Sequence, residues 1–288
     1  RDRFVGFVNE DIDSFDEKHR IQAYASFVDD HTLSLSTGGT LTADKIIIAT
    51  GSRPNIPGFF EQAKDLLITN DDVFYWDDLP KSIAVFGAGV IGLELGQALH
   101  RLGVHTHLFG VGDAVGPLSD PEVIATSLEI FKDEFPFHSN GQVKSIERTD
   151  KGVQITFKPT PDSEEVTETF DYLLAATGRK TNIDNIGIEN TSLELDGRGV
   201  PIYNLMSMQC GDSHIFIAGD VNGDIPLLHE AADEGRLAGE NASTFPQVFK
   251  KARKTSLGVV FSDPQIATVG MSFREMTEKL GCHFASGS

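Results

Sequence analysis

Cysteine is nearly missing from this sequence. Its 288 residues include two, Cys210 and Cys282, and neither sits in a C-x-x-C or similar pair. That excludes a disulfide framework and a cysteine-built metal site, and it points to a reducing compartment, with the cytoplasm as the expected location. Positive charge is also scarce: 24 Lys and Arg against 43 Asp and Glu leave a net charge of −19. A chain so acidic repels nucleic acid and anionic membranes, so neither is expected as a partner. It can still hold a small anion, because a few backbone dipoles suffice for that. No apolar run approaches the ~20 residues needed to cross a bilayer, and no signal-peptide pattern opens the sequence. Low-complexity segments and repeat arrays are missing too. The first residue is Arg1 rather than Met, and the last residues, "GCHFASGS", follow directly on a helix-like "SFREMTEKLG". The chain is therefore expected to be a fragment lacking both ends.

What is present is an α/β alternation in a chain long enough for about two domains. "RIQAYASFVDD" and "TLSLS" read as strands, with "TGGT" as a hairpin turn. "KIIIATG" is a short apolar strand that suits burial on both faces and ends on small residues. "SIAVFG" is a strand and "VIGLELGQALHRLG" a helix, with Val90, Leu93 and Gln97 at helical spacing and Gly103 as its stop. "VHTHLFG" is the next strand. Asp120 is the candidate N-cap and Pro121 the first-turn residue of a helix "DPEVIATSLEIFKDEF". "QVKSIERTDKGVQITFKP" is a hairpin, "YLLAATG" and "IFIAGDV" are apolar strands, and "LLHEAADEGRLAGENA" is a helix. From Lys250 onward, "TSLGVVFSDPQIATVGM" reads as the first strands of another domain.

Gly87-Ala-Gly89-Val90-Ile91-Gly92 is a G-x-G-x-x-G turn with a strand before it and a helix after it, the context that makes this motif a dinucleotide site. The first glycine permits the turn, the second the approach of a pyrophosphate, and the third close helix–strand packing; the helix N-terminus offers N–H groups to the anion. The acid that reads the ribose should close the following strand, about 20 residues on. There the sequence has Phe109-Gly110, and the nearest acid is Asp113. NAD is favoured and NADP stays open. A near-repeat brackets this unit: "KIIIATGSRPN" (45–55) and "YLLAATGRKTN" (172–182) each join an apolar strand to A-T-G, a basic residue and Asn. The cluster His100, His105 and His107 supplies too few converging ligands for a metal. It reads as polar residues around a helix–strand connection, and no metal centre is expected. Phe74 and Trp76 are expected to anchor a linker, and the acidic run Asp71-Asp72…Asp77-Asp78 to be solvated surface.

Taken together, "TADKIIIATGSRPNIPG", "SIAVFGAGVIGLELGQALHRLG", "YLLAATGRKTNID", "IFIAGDVNGDIPLLHEAADEG" and "FSDPQIATVGM" resemble the flavoprotein pyridine nucleotide–disulfide oxidoreductases, above all those of the dihydrolipoamide dehydrogenase type. The resemblance runs through nearly the whole chain in family order. It implies an α/β fold in which a Rossmann-like NAD(P)-binding domain is inserted in an FAD-binding domain, followed by the start of an α+β dimerisation domain. The corresponding segments would be 1–78 and 181–249 for FAD, 79–180 for NAD(P) and 250–288 for the interface. It implies NAD(P) contacts at Gly87, Gly89, Val90, Ile91, Gly92, Gly110, Gly178 and Arg179. It places FAD contacts at Ala49, Thr50, Gly51, Asp220, Leu227, Leu228 and His229, and Glu94 near the flavin where hydride arrives.

The departures from the family pattern are as informative. The family's N-terminal FAD glycine motif, its C-x-x-x-x-C redox pair and its C-terminal His–Glu pair do not occur in these residues. Cys210 and Cys282 match no redox position, and His229 falls on the cofactor side rather than in the acid–base pair. Without a dithiol there is no thiol–disulfide exchange, so the fragment alone is expected to be inactive. The parent protein would pass hydride between NAD(H), FAD and a small or lipoyl-type disulfide, as a homodimer. A transhydrogenase or other NAD(P)H-dependent flavoprotein reductase without a redox disulfide is the alternative, and a non-catalytic dinucleotide-binding module the third reading.

Overall fold

The chain begins with a helix that the sequence reading leaves unassigned, α1 (Asp2–Asp13), whose Phe4, Phe7 and Val8 are exposed. The computed structural model describes residues 2–281 together with Phe284, Ala285 and Gly287; Cys282 lies outside the described residues. Short strands follow: β1 (Ala25–Phe27), β2 (Thr32–Leu35), β3 (Thr40–Thr42), β4 (Ile46–Ile48), β5 (Ser52–Pro54) and β6 (Leu67–Ile68), then α2 (Asn70–Val73). The central stretch is β7 (Ser82–Phe86), α3 (Val90–Arg101), β8 (His105–Phe109), α4 (Pro121–Glu134) and β9 (Phe137–His138). Then come β10 (Gln142–Thr149), β11 (Gly152–Lys158), β12 (Val166–Phe170), β13 (Tyr172–Ala175) and β14 (Arg179–Thr181). The chain ends with β15 (Ile215–Ile217), α5 (Leu228–Thr244), β16 (Leu257–Val260), β17 (Ile266–Val269) and α6 (Phe273–Leu280). None of the helices among the described residues is long and apolar enough to cross a membrane.

By their internal contacts the residues form two units. The first is Arg1–Arg53 with Lys180–Arg253; the second is Pro54–Arg179 with Lys254–Ser288. The first division falls at Arg53/Pro54 rather than after Asp78. The cause is the 3-10 segment Gly58–Leu66, which buries Phe60 and Ala63 in the same apolar layer as Phe86 and Ile155. The last segment joins the second unit because Val260 and Ile266 complete the apolar layer around Leu93.

In the second unit a parallel sheet of order β6-β13-β7-β8-β9 is the central layer. Strand periodicity decides what each face meets. Ile83 and Val85 point to the layer of Leu93, Leu99, Leu128 and Phe131 from α3 and α4. Ala84, Phe86 and Phe109 point to Ile146, Ile155, Phe157 and Phe170 of the antiparallel sheet β10-β11-β12. The expected hairpin is there, with Thr149 opposite Gly152; β12, a largely polar strand, joins it with Phe157 opposite Val166. Asp120 caps α4 as expected, its carboxylate accepting from the N–H groups of Glu122 and Val123.

In the first unit β4 and β15 run parallel in register, Ile46 opposite Ile215 and Ile48 opposite Ile217. Ile48, Ile215 and Ile217 are buried, but Ile47 is 40% exposed. The expectation of burial on both faces therefore fails at Ile47, although its register partner Phe216 is buried against Leu237 and Ala238 of α5. Strands β1, β2 and β3 form an antiparallel sheet.

The turn from β7 into α3 is sterically tight. A Cβ on Gly92 would lie 1.7 Å from the carbonyl oxygen of Gly87, and a Cβ on Gly87, whose φ is +111°, would lie 2.2 Å from that of Ala176. Gly92→Ala is therefore expected to cost about 3 kcal/mol, because backbone must move to admit the methyl group. Urea denaturation checks this; an unchanged midpoint would refute the packing role.

Candidate functional site

The second unit presents a dinucleotide-type cradle. Strand order reverses at β7, with β8 on one side and β13 on the other, and ligands bind open α/β sheets at such a switch point. Gly89 is the N-cap of α3, with no side-chain cap, and a Cβ built there meets nothing within 4 Å. The three glycines thus divide their roles: Gly87 and Gly92 are required by backbone contacts, and Gly89 leaves open space at a helix N-terminus. The first-turn N–H groups of Val90 and Ile91 point to that space, a place suited to phosphate oxygens. Val90 is exposed and Ile91 half-buried.

Gly110 closes β8 under crowding. A Cβ there would sit 3.1 Å from the Ala88 Cβ, 3.2 Å from the Ser139 carbonyl and 3.3 Å from the Phe137 ring. This packing leaves no room for a ribose-reading acid. The nearest acid, Asp113, accepts a hydrogen bond from Ser139 Oγ at 2.5 Å. Glu94 lies on α3, where its Oε1 accepts the Phe261 N–H at 2.9 Å. Neighbouring Gln97 donates to the Asp263 carbonyl and accepts from its N–H. Glu94 thus holds the return segment of the same unit.

In the first unit Ala49-Thr50-Gly51 and Ala218-Gly219-Asp220 leave adjacent parallel strands at the same end. Ser52 Oγ donates to Asp220 Oδ2 at 2.7 Å, joining the two exits. Gly219 N–H and Asn222 Nδ2 both donate to Glu234 Oε2, at 2.8 and 2.7 Å. Burial raises the Glu234 pKa, opposed by these donors and by Arg253, which pairs with Glu234 and Glu230 at 2.8 Å. Leu227 is the N-cap of α5; Leu228 is 88% exposed and His229 is exposed. Leu228 and His229 thus stand exposed at a helix start that no side chain caps.

The near-repeat has a structural meaning. Each Asn bonds the A-T-G of the other copy. Asn182 Nδ2 donates to the Thr50 carbonyl, the Asn182 N–H to the Gly51 carbonyl, and Thr50 Oγ1 to the Asn182 carbonyl. Reciprocally, the Asn55 N–H donates to the Gly178 carbonyl and Thr177 Oγ1 to the Asn55 carbonyl. The basic residue of the first copy, Arg53, donates to Asn182 Oδ1 and grips Asp184 with two bonds of 2.9 and 2.5 Å. Gly178 and Arg179 are exposed at the end of the β13 exit. Asn55 and Asn182 were visible as matched positions of the repeat; Asp184, Glu234 and Arg253 carried no sequence signal.

Other residues fall where packing needs them. Trp76 stacks on Tyr172 at 5.4 Å between ring centres, while Phe74 is exposed. Cys210 is fully buried and its thiol is pushed up to about 12 by that burial, which makes it inert as a nucleophile.

Arg53, then Lys180, hold the Asp184 carboxyl well below its usual range near 3.8. A depressed carboxylate stabilises the fold above about pH 4 and loses that contribution as pH falls further. Asp184→Asn is expected to flatten the fall of the urea midpoint between about pH 4 and pH 2. Equal slopes for variant and wild type would refute the role of this ion pair.

Residues 6–235 match the family described as pyridine nucleotide-disulphide oxidoreductase. A dihydrolipoyl dehydrogenase of Bacillus subtilis (strain 168) is 32% identical over 235 residues, which are 81% of this chain and 48% of that protein. A soluble pyridine nucleotide transhydrogenase of Serratia proteamaculans (strain 568) is 31% identical over 271 residues, 91% of this chain and 57% of that protein. The chain thus spans about half the length of the curated relatives it matches. The structure of the HOCl-induced flavoprotein disulfide reductase RclA from Escherichia coli superposes with a TM-score of 0.76 at 22% identity, over 90% of this chain and 58% of that one. That likeness shows the same α/β fold.

Proposed function

Because the chain belongs to the pyridine nucleotide-disulphide oxidoreductase family, we propose that it is the part of a flavin-dependent oxidoreductase that holds NAD(H) and one side of FAD. The observation that carries this reading is the open Gly89 at the bare N-terminus of α3, between two glycines that backbone contacts require. The second unit would hold the dinucleotide, with Gly87, Gly89, Val90, Ile91 and Gly92 around the pyrophosphate and Gly110, Gly178 and Arg179 along its path. The first unit would hold FAD through Ala49, Thr50, Gly51 and Asp220, with Leu227, Leu228 and His229 against it. Asp220, kept in place by Ser52 and by the Glu234-held turn, can accept hydrogen bonds from ligand hydroxyls. When bound, the flavin supplies hydride exchange with nicotinamide and electron exchange with a dithiol. Glu94 acts in this reading as a positioning residue: it ties the segment at Phe261 to the helix that carries the cradle.

For the whole protein we favour a dihydrolipoyl dehydrogenase-like reaction, with a lipoyl-type or other small disulfide substrate, a homodimer and a cytoplasmic location. The second reading is soluble pyridine nucleotide transhydrogenation; relatives of that name match as much of the chain at similar identity. Assay of the whole protein separates the two. Reduction of NAD by dihydrolipoamide supports the first reading; hydride transfer between NADPH and NAD without a dithiol supports the second; absence of both refutes the proposal.

On the binding side, Gly89→Ala is expected to weaken NADH about tenfold, or about 1.4 kcal/mol, with an unchanged melting temperature. Asp220→Ala is expected to purify with about a tenth of the wild-type flavin. Calorimetric titration and the flavin absorbance check these outcomes, and wild-type values for both variants would overturn the assignment of the two cradles.

A further inference from the structure

The interface between the parallel sheet and the antiparallel sheet of the second unit is built around Ala84, Phe86, Phe109, Ile146, Ile155, Phe157 and Phe170, and at one edge His105, His107 and Glu168 come together. His105, His107 and Phe109 alternate onto one face of β8, and Glu168 and Phe170 onto the facing side of β12. Around them lie Phe157, Phe170 and Phe109, with the His107 ring 5.2 Å from that of Phe170 and 6.1 Å from that of Phe157. Two imidazoles and a carboxylate break a layer whose pattern calls for apolar side chains, and such departures gather at functional positions.

Their ligand atoms converge. His105 Nε2 lies 2.6 Å from Glu168 Oε1, and His107 Nε2 3.5 Å from Glu168 Oε2. One atom from each of the three residues can be chosen so that all lie within 4.8 Å of one another. Donors bound tetrahedrally at 2.0–2.1 Å stand about 3.3 Å apart. The short His105–Glu168 contact would have to open by about 0.7 Å, a small ring rotation for a residue at the exposed rim. His107 is 8% exposed, and His105 stands open to solvent beside it, so the site has a buried ligand and an entry path.

Support for the buried ligand comes from β9. His138 Nε2 lies 3.1 Å from His107 Nδ1. If His107 donates through Nδ1–H to His138, its Nε2 carries a lone pair directed at Glu168, and the ring orientation is locked. A hydrogen bond on the far nitrogen of a ligating imidazole is the usual outer support of a metal site. Two neutral imidazoles and one carboxylate leave positions for water, and this donor set suits a divalent first-row metal such as zinc.

We propose that His105, His107 and Glu168 form a binding site for a divalent transition-metal ion, with zinc the expected ion and His138 orienting His107. The site lies on the face of β8 opposite the helix layer. It needs no part of the dinucleotide reading. The net charge of −19 raises the local concentration of cations and favours occupancy.

Titration of the chelator-stripped chain with zinc chloride, followed by calorimetry, tests the proposal. One equivalent is expected to bind, and His105→Ala and Glu168→Gln are each expected to weaken binding at least ~10-fold. His31→Ala, at the separate stacked pair of His31 and His214, is expected to leave it unchanged. Both test positions are partly exposed, so the variants should fold, and circular dichroism checks that they do. X-ray absorption of the zinc-loaded wild type should show two imidazoles in the coordination shell. Failure to bind one equivalent, binding that survives either substitution, or a shell without imidazole overturns the proposal.

Discussion

The closeness of the β7–α3 turn to the strand beside it is the constraint from which the second unit is built. With the Gly87 and Gly92 positions bare of Cβ, the first turn of α3 settles onto the Gly87 carbonyl, and the β7 exit lies against Ala176 of the β13 exit. Three consequences follow from one steric fact. The helix starts at Gly89 with its N–H groups uncapped. The apolar side of α3, with Leu93 and Leu99, is pressed onto Ile83 and Val85. The polar side, with Glu94, Gln97 and Arg101, meets the return segment: Phe261 N–H, the Asp263 backbone and the Asp263 carboxylate. A side chain at Gly92 would disturb all three, whereas one at Gly89 would meet open space.

The first unit solves the same problem of a strand end with different chemistry. Here the exits of β4 and β15 are fixed by side chains rather than by missing ones. Asn182 spans Thr50 and Gly51, Ser52 reaches Asp220, and Glu234 holds the Gly219–Asn222 turn from below. Glu234 is a buried carboxylate, and a buried charge is tolerated when it is paired and fully hydrogen-bonded. Arg253 provides the pair and spans Glu230 and Asp224 as well. The polar network therefore serves the backbone geometry of the turn that carries Asp220.

Much of this was readable in advance where the signal is local. The alternation of "SIAVF", the glycine triplet, the Asp120-Pro121 helix start and the "TDKG" hairpin depend on residues within a turn or two of each other, and these elements stand where expected. β12 was not readable, because "VTETF" is mostly polar, with three polar residues of five, and takes its strand form from pairing with β11. The apolar "KIIIATG" promised burial on both faces, but Ile47 remains exposed; a run of isoleucines does not say how many strands will flank it.

The sequence by itself determined the α/β class, the family and the position of the glycine cradle, because turn chemistry and periodicity act over short stretches of chain. Tertiary structure decided which partners distant side chains acquired. It bound Glu94 to Phe261, matched each Asn of the near-repeat to the opposite A-T-G, and set Glu168 against His105 and His107. The physical reason is that a hydrogen bond or a ligand set depends on atoms a few ångström apart in space. Strand pairing and sheet stacking bring those atoms together from positions that nothing in the linear order relates.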